Sequence, residues 1–151
     1  MKLLLSTSNE DKTHELKSLL EPLGHTVYTL KDYGLKIRVE AKGITFFQNA
    51  LLKAQAVSKV VDIPVLGDES GLVVPALNGE PGVYSARYAG EVHNSVANIQ
   101  LLLRKMENIT DREAYMQTVL VLMYPDGQYY YGEGTVRGTI TRSRRGFTGF
   151  G

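Results

Sequence analysis

A chain of 151 residues, 43% hydrophobic and 22% charged, has the length and composition of one globular domain. Its formal net charge of +1 supplies no global field for nucleic acid or a membrane surface. Cysteine is absent, which excludes disulfides, thiolate nucleophiles and cysteine zinc sites. The apolar run Leu3 to Leu5 is too short for a signal peptide or a membrane span. The expectation is a cytoplasmic protein with neither a nucleic-acid nor a membrane partner.

In chain order, Lys2 to Ser6 reads as a short buried strand. The segment STSNEDK then turns into a helix from about Asp11 to Leu20, with Leu16, Leu19 and Leu20 at helical spacing. Pro22 and Gly24 end it. His25 to Leu30 alternates as a second strand, so strand, loop, helix and strand open an α/β sheet. Ile37 to Gly43 reads as extended. Thr45 to Val61 is the clearest helix, with Thr45 as N-cap and Gln48 in the capping-box position. Phe46, Ala50, Lys53, Ala54 and Val57 share one side of it, a lysine within an otherwise apolar series.

Pro64 to Gly67 reads as a strand ending at the acid pair Asp68-Glu69, and Gly71 to Val74 resumes extended structure. ALNGEPGVYSARYAG is turn-rich and leads into one short helix. Asn94 to Ile109 is a helix capped by Asn94. Ala114 to Tyr124, Gln128 to Val136 and Gly138 to Arg142 are strands, the first two joined by a Pro-Asp-Gly turn. At the end, Phe147 and Phe150 sit among glycines and the chain stops at Gly151. That is either a frayed tail or a place where a longer protein has been cut.

The chemistry concentrates in three places. The loop Thr7-Ser8-Asn9-Glu10-Asp11-Lys12 joins a buried strand to a helix N-terminus, where free amides and the helix dipole favour an anion. Its hydroxyls, amide and lysine suit a phosphate; ordinary capping by Ser8 or Asn9 is the competing reading. Neither GxxxxGK[ST] nor GxGxxG is present.

Asp68 and Glu69 are the second place. Mid-strand they would face opposite sides, one toward the core; at a strand end or bulge both would line a cleft. Two carboxylates about 4 Å apart repel by roughly 4 kcal/mol at an effective dielectric near 20. That is about three pKa units, so one acid stays protonated or a cation neutralises the pair. Mg²⁺ prefers oxygen ligands and substrate phosphates, with Glu40 as a third candidate ligand; the alternative is a solvated turn. Lys53 is the third place: it either snorkels to the surface or serves as a phosphate cation. His14, His25 and His93 lack metal-ligand spacing and read as surface residues. Tyr129 to Tyr131 alternate across a strand and read as sheet packing, and RSRR as a solvated loop.

With these residues in view, the chain resembles the Ham1-type inosine/xanthosine triphosphate pyrophosphatases, enzymes that clear deaminated purine nucleotides. Four blocks carry the likeness in order: STSNEDKTHEL, EAKGITFFQNALLKA, DESGLVVPALNGEPGVYSARYAG and GTITRSRRGFTGFG. The resemblance implies an α/β fold with a mixed central sheet flanked by helices and two lobes around a nucleotide cleft, usually as a homodimer. It implies Mg²⁺-dependent hydrolysis of XTP, ITP or dITP to the monophosphate and pyrophosphate. By position, Thr7, Ser8, Asn9, Glu10, Asp11 and Lys12 would line the triphosphate, Lys53 would add a cation and Ser70 would contact substrate. Glu40, Asp68 and Glu69 would hold the metal, with Glu69 as the base.

Two departures stand out. The family pattern has Asp-Asp-Ser-Gly, whereas the second acid here is Glu69, one methylene longer. A shift of about 1 Å costs on the order of 100-fold in rate. The family also continues past this point with Tyr-Asp-Pro and Ser-His-Arg motifs, so the domain is expected to be C-terminally incomplete. The alternatives are a nucleotide-binding homologue with little turnover and a Maf-type pyrophosphatase; that family has a different strand-end signature, which the stretch SGLVVPALNGEPGVYSARY of this chain fits poorly.

Overall fold

A computed structural model of the chain describes residues 1–40 and 42–146. The aromatic tail at Phe147 and Phe150 lies outside the described residues. Five strands form one sheet in the order β2-β1-β3-β4-β5: β1 Lys2–Ser6, β2 Thr26–Tyr28, β3 Val65–Val73, β4 Glu113–Met123 and β5 Tyr129–Thr139. Among the described residues three α-helices accompany it, α1 Glu10–Leu20, α2 Phe46–Ser58 and α3 Ser95–Lys105. β1 is parallel to both β2 and β3. β4 and β5 are joined through a tight turn closed by a Tyr124 N–H bond to the Gln128 carbonyl at 2.8 Å. That short connection makes them an antiparallel hairpin, so the sheet is mixed, as expected. Among the described residues no helix is long and apolar enough to cross a membrane.

Several boundaries differ from the sequence expectation. The acid pair does not end a strand: β3 runs unbroken through it, because each acid finds a lysine, as described below. Ile37 to Gly43 forms no strand among its described residues, and the second strand shortens to Thr26–Tyr28. The helix begun at Asn94 stops at Lys105. Past its end, the guanidinium of buried Arg112 donates to the Met106 carbonyl at 2.6 Å and the Ile109 carbonyl at 3.2 Å, giving those carbonyls a partner outside the helix. The last two expected strands are one, since Gly138 does not interrupt β5.

The contacts divide the chain into two compact units, Met1–Glu69 with Val119–Glu133, and Ser70–Thr118 with Gly134–Gly151. In the first, Leu3, Leu5, Val27 and Leu66 form a buried cluster closed by Leu16 and Leu20 of α1 and by Leu120 and Leu122 of β4. Leu4 and Val65, one residue out of phase, are fully buried, as are Ala50, Ala54 and Val57 of α2. The alternation of a strand thus gives one face to α1 and the other to α2. The capping box of α2 forms in part. Thr45 Oγ1 accepts from the Gln48 N–H at 3.0 Å, while Gln48 Oε1 accepts from the N–H of Ile44 rather than of Thr45.

In the second unit, Val74, Met106 and Ala114 form the core, with Leu72, Leu77, Leu102 and Ile140 against it. Arg112 ties α3 to the end of β5 by donating also to the Ile140 and Thr141 carbonyls, at 2.8 and 2.9 Å. Ser85 accepts from the Leu72 N–H at 2.9 Å. Glu80 accepts from both Tyr88 (2.7 Å) and Lys105 (2.8 Å), which joins the turn before the Gly82–Arg87 3-10 helix to α3.

Among the described glycines, Gly67 is the one where an added Cβ would run into helix backbone. A Cβ there would lie 2.9 Å from the Ala54 nitrogen and 3.1 Å from its methyl, and closer still to the Ala50 carbonyl oxygen. The substitution Gly67→Ala is therefore expected to push α2 off β3 and lower stability by about 1–3 kcal/mol in urea unfolding. An unchanged midpoint would mean that α2 does not rest on β3 at this point.

A second expectation concerns acid. Hydrogen bonds from Lys105 and then Tyr88 hold the Glu80 carboxyl below the usual glutamate range. A depressed carboxyl stabilises the fold above its unfolded pKa, and that contribution is lost as pH falls through the folded value. The melting temperature of Glu80→Gln should therefore differ from the parent at neutral pH and converge on it in acid. Parallel pH profiles would refute this.

Candidate active site

The site grows from the parallel pairing of β1 and β3. Ser6 pairs with Gly67, so the loop leaving β1 runs beside Asp68. From β1 the chain passes through α1 to β2 on one side, while β3 lies on the other. Ligands of open α/β sheets bind in the crevice at such a switch point, beyond the carboxyl ends of the strands. The loop from Thr7 to Lys12 and the acids of β3 both lie at this end.

Strand alternation sends the two acids to different helices. Asp68 is in phase with Leu66, on the α1 face, and its carboxylate meets Lys12 Nζ at 2.8 Å. Glu69 is in phase with Gly67, on the α2 face, and meets Lys53 Nζ at 3.4 Å. Lys53 also donates to the Asp68 backbone carbonyl at 3.0 Å. Of the two outcomes open to the acid pair, the structure takes the mid-strand one. Opposite faces separate the charges, and a lysine neutralises each. All four groups are largely withdrawn from water: side-chain exposure is 5% for Asp68, 14% for Glu69, 16% for Lys12 and 21% for Lys53. Lys53 thus neither snorkels to the surface nor stands free.

The loop residues cap α1. Asn9 Oδ1 accepts from the N–H groups of Asp11 (3.0 Å) and Lys12 (3.1 Å), and Thr7 Oγ1 accepts from the Asn9 N–H at 3.1 Å. Glu10 and Asp11 are exposed in the first helical turn, where the dipole favours them. Ser8 is exposed beside them. In the other unit, Ser70 shares a hydrogen bond with Thr118 at 2.8 Å.

Glu40 is not brought to the acids. Its carboxylate is 72% exposed and pairs with Lys42 at 2.8 Å. Among the described residues no group of three or more His, Cys, Asp or Glu side chains is placed to hold a metal. The donor chemistry nonetheless fits Mg²⁺, which commonly takes one or two carboxylates and completes its shell with water and substrate phosphates.

Sequence reasoning missed three supporting residues. Buried Ser6 donates to the Lys53 carbonyl at 2.7 Å, fixing the turn of α2 that carries the lysine. Buried Asn49 accepts from the Gly43 N–H at 2.7 Å and holds the entry to α2. Gly67 admits the helix. A serine closing an apolar strand was a usable signal for the first; the other two depend on long-range contact.

The Ham1 family model matches residues 3–151. A dITP/XTP pyrophosphatase of Thermus thermophilus is 49% identical over 153 residues, spanning 100% of this chain and 73% of the relative. One from Bacillus subtilis is 41% identical, spanning 98% and 76%. Among solved structures, a HAM1 protein from Coxiella burnetii superimposes with TM-score 0.89 at 34% identity, and the Staphylococcus aureus Ham1 protein with 0.87 at 39%. Each comparison covers 100% of this chain and 78% of that one.

Removing Lys12 should strand a nearly buried carboxylate. Lys12→Met is expected to lose about 3 kcal/mol of stability, and Lys12→Met/Asp68→Leu to regain most of it. If the double variant is no more stable than the single one, the pair is not what holds this corner.

Proposed function

The chain belongs to the Ham1 family, and on that premise we propose that it is a nucleoside triphosphate pyrophosphatase acting on deaminated purine nucleotides, XTP, ITP and dITP. The observation that carries the reading is the acid pair in mid β3 beside the first turn of α1, each acid in reach of a lysine. The names of the relatives, dITP/XTP pyrophosphatases, support the substrate class.

In this reading the chain's own residues do three things. Lys12 and Lys53 turn from the carboxylates to the phosphate oxygens of the substrate and neutralise them, the main requirement of phosphoryl chemistry. Thr7, Ser8 and Asn9 border the phosphate chain at the start of α1, and Ser70 touches substrate beside the acids. Glu69 accepts the proton of the attacking water. The water oxygen bonds to the α-phosphorus, and the bond from that phosphorus to the oxygen bridging it to the β-phosphorus breaks, so pyrophosphate leaves. Asp68 or Glu69, which face opposite sides of β3, would offer one carboxylate to a Mg²⁺ ion, which would supply charge neutralisation at the phosphates. Glu40 would join them only by leaving Lys42.

The 151-residue chain with Mg²⁺ should release pyrophosphate from XTP and ITP far faster than from GTP or ATP. Equal rates on all four, or none from a folded protein, would sink the reading. Glu69→Gln should lower kcat by about 100-fold or more with a much smaller change in KM. The longer acid also favours a second reading, a nucleotide binder with weak turnover. A large gain in kcat for Glu69→Asp would support it.

A further inference from the structure

The two ion pairs have a consequence for the order in which the site fills. A hard cation approaching these carboxylates meets counter-ions already beside them. Lys12 stands 2.8 Å from Asp68, and Lys53 is 3.4 Å from Glu69 and 3.0 Å from the Asp68 carbonyl. To bind either acid, a divalent ion must displace an ammonium or sit beside it, and at this range in a shielded site that repulsion is substantial. A triphosphate meets the mirror-image obstacle, since its natural cations are already engaged.

We infer that Lys12 and Lys53 are internal counter-cations that keep the acids of β3 from taking up a divalent cation alone, so that cation and phosphate chain enter together. The phosphates draw a lysine away from its acid, and the cation takes its place at that carboxylate. In this exchange the carboxylates keep a counter-cation throughout, and the lysines keep a counter-anion. It also makes binding of the two partners reciprocal, each raising the affinity of the other by the same factor. The inference rests on the function proposed above, but its test requires no turnover.

Calorimetry with Mn²⁺ and no nucleotide should find weak binding to the parent chain. Lys53→Met and Lys12→Met should bind Mn²⁺ about tenfold or more tightly, and adding Asp68→Asn to Lys12→Met should abolish its gain. Because Lys12→Met is expected to be less stable, circular dichroism would check its fold, and Lys53→Met provides the independent arm. In EDTA, inorganic tripolyphosphate should bind Asp68→Asn about tenfold more tightly than the parent, because Lys12 is released. Parent and lysine variants binding Mn²⁺ alike, or no gain of tripolyphosphate affinity in Asp68→Asn, would overturn the inference. Failure to hydrolyse XTP would overturn only the functional reading.

Discussion

Between Gly67 and the backbone of α2 there is room for a hydrogen atom and little else. This contact sets how deeply the helix lies on the sheet, and the rest of the site follows from that depth. At this distance Ser6, the strand partner of Gly67, reaches the Lys53 carbonyl, and the Lys53 ammonium reaches the main chain and side chain of the next two residues of β3. A wider spacing would leave Glu69 half-buried without a counter-charge. A glycine directly before two acids is therefore part of how the acids are tolerated.

Acids in the middle of a strand ordinarily argue against the strand, since burying an unpaired charge costs far more than a strand gains. Here the cost is met from both faces. The parallel register of β1 and β3 brings the first turn of α1 over one face, and the Gly67 contact brings α2 onto the other. Paired charges of this kind add little net stability, because desolvation offsets their attraction. What the pairing does accomplish is local neutrality: each acid of β3 has a lysine beside it.

The second unit shows a different economy. Among the described residues, buried Arg112 is held by carbonyl oxygens of Met106, Ile109, Ile140 and Thr141 rather than by a carboxylate. Its role is to end α3 and fasten β5, and nothing in its sequence setting, DREA, distinguishes it from a surface arginine. The same holds for Glu80, whose partners lie 8 and 25 residues away.

Local sequence was enough for the elements whose signals are local. The apolar run of β1, the caps Asn9, Thr45 and Asn94, and the helical spacing of α1 and α2 all lie within a few residues of what they specify, and each appears in the structure. The motif blocks identified the family, because spacing between blocks is also a property of the chain alone. The state of the site was decided elsewhere. Whether Asp68 and Glu69 face one side or two, which lysine each meets, and that Glu40 stays with Lys42 depend on sheet register and on helix depth. Those are fixed by contacts such as Ser6 with Gly67 and Gly67 with α2, between segments distant in sequence. A one-residue change in register would have sent every one of these side chains to the other face.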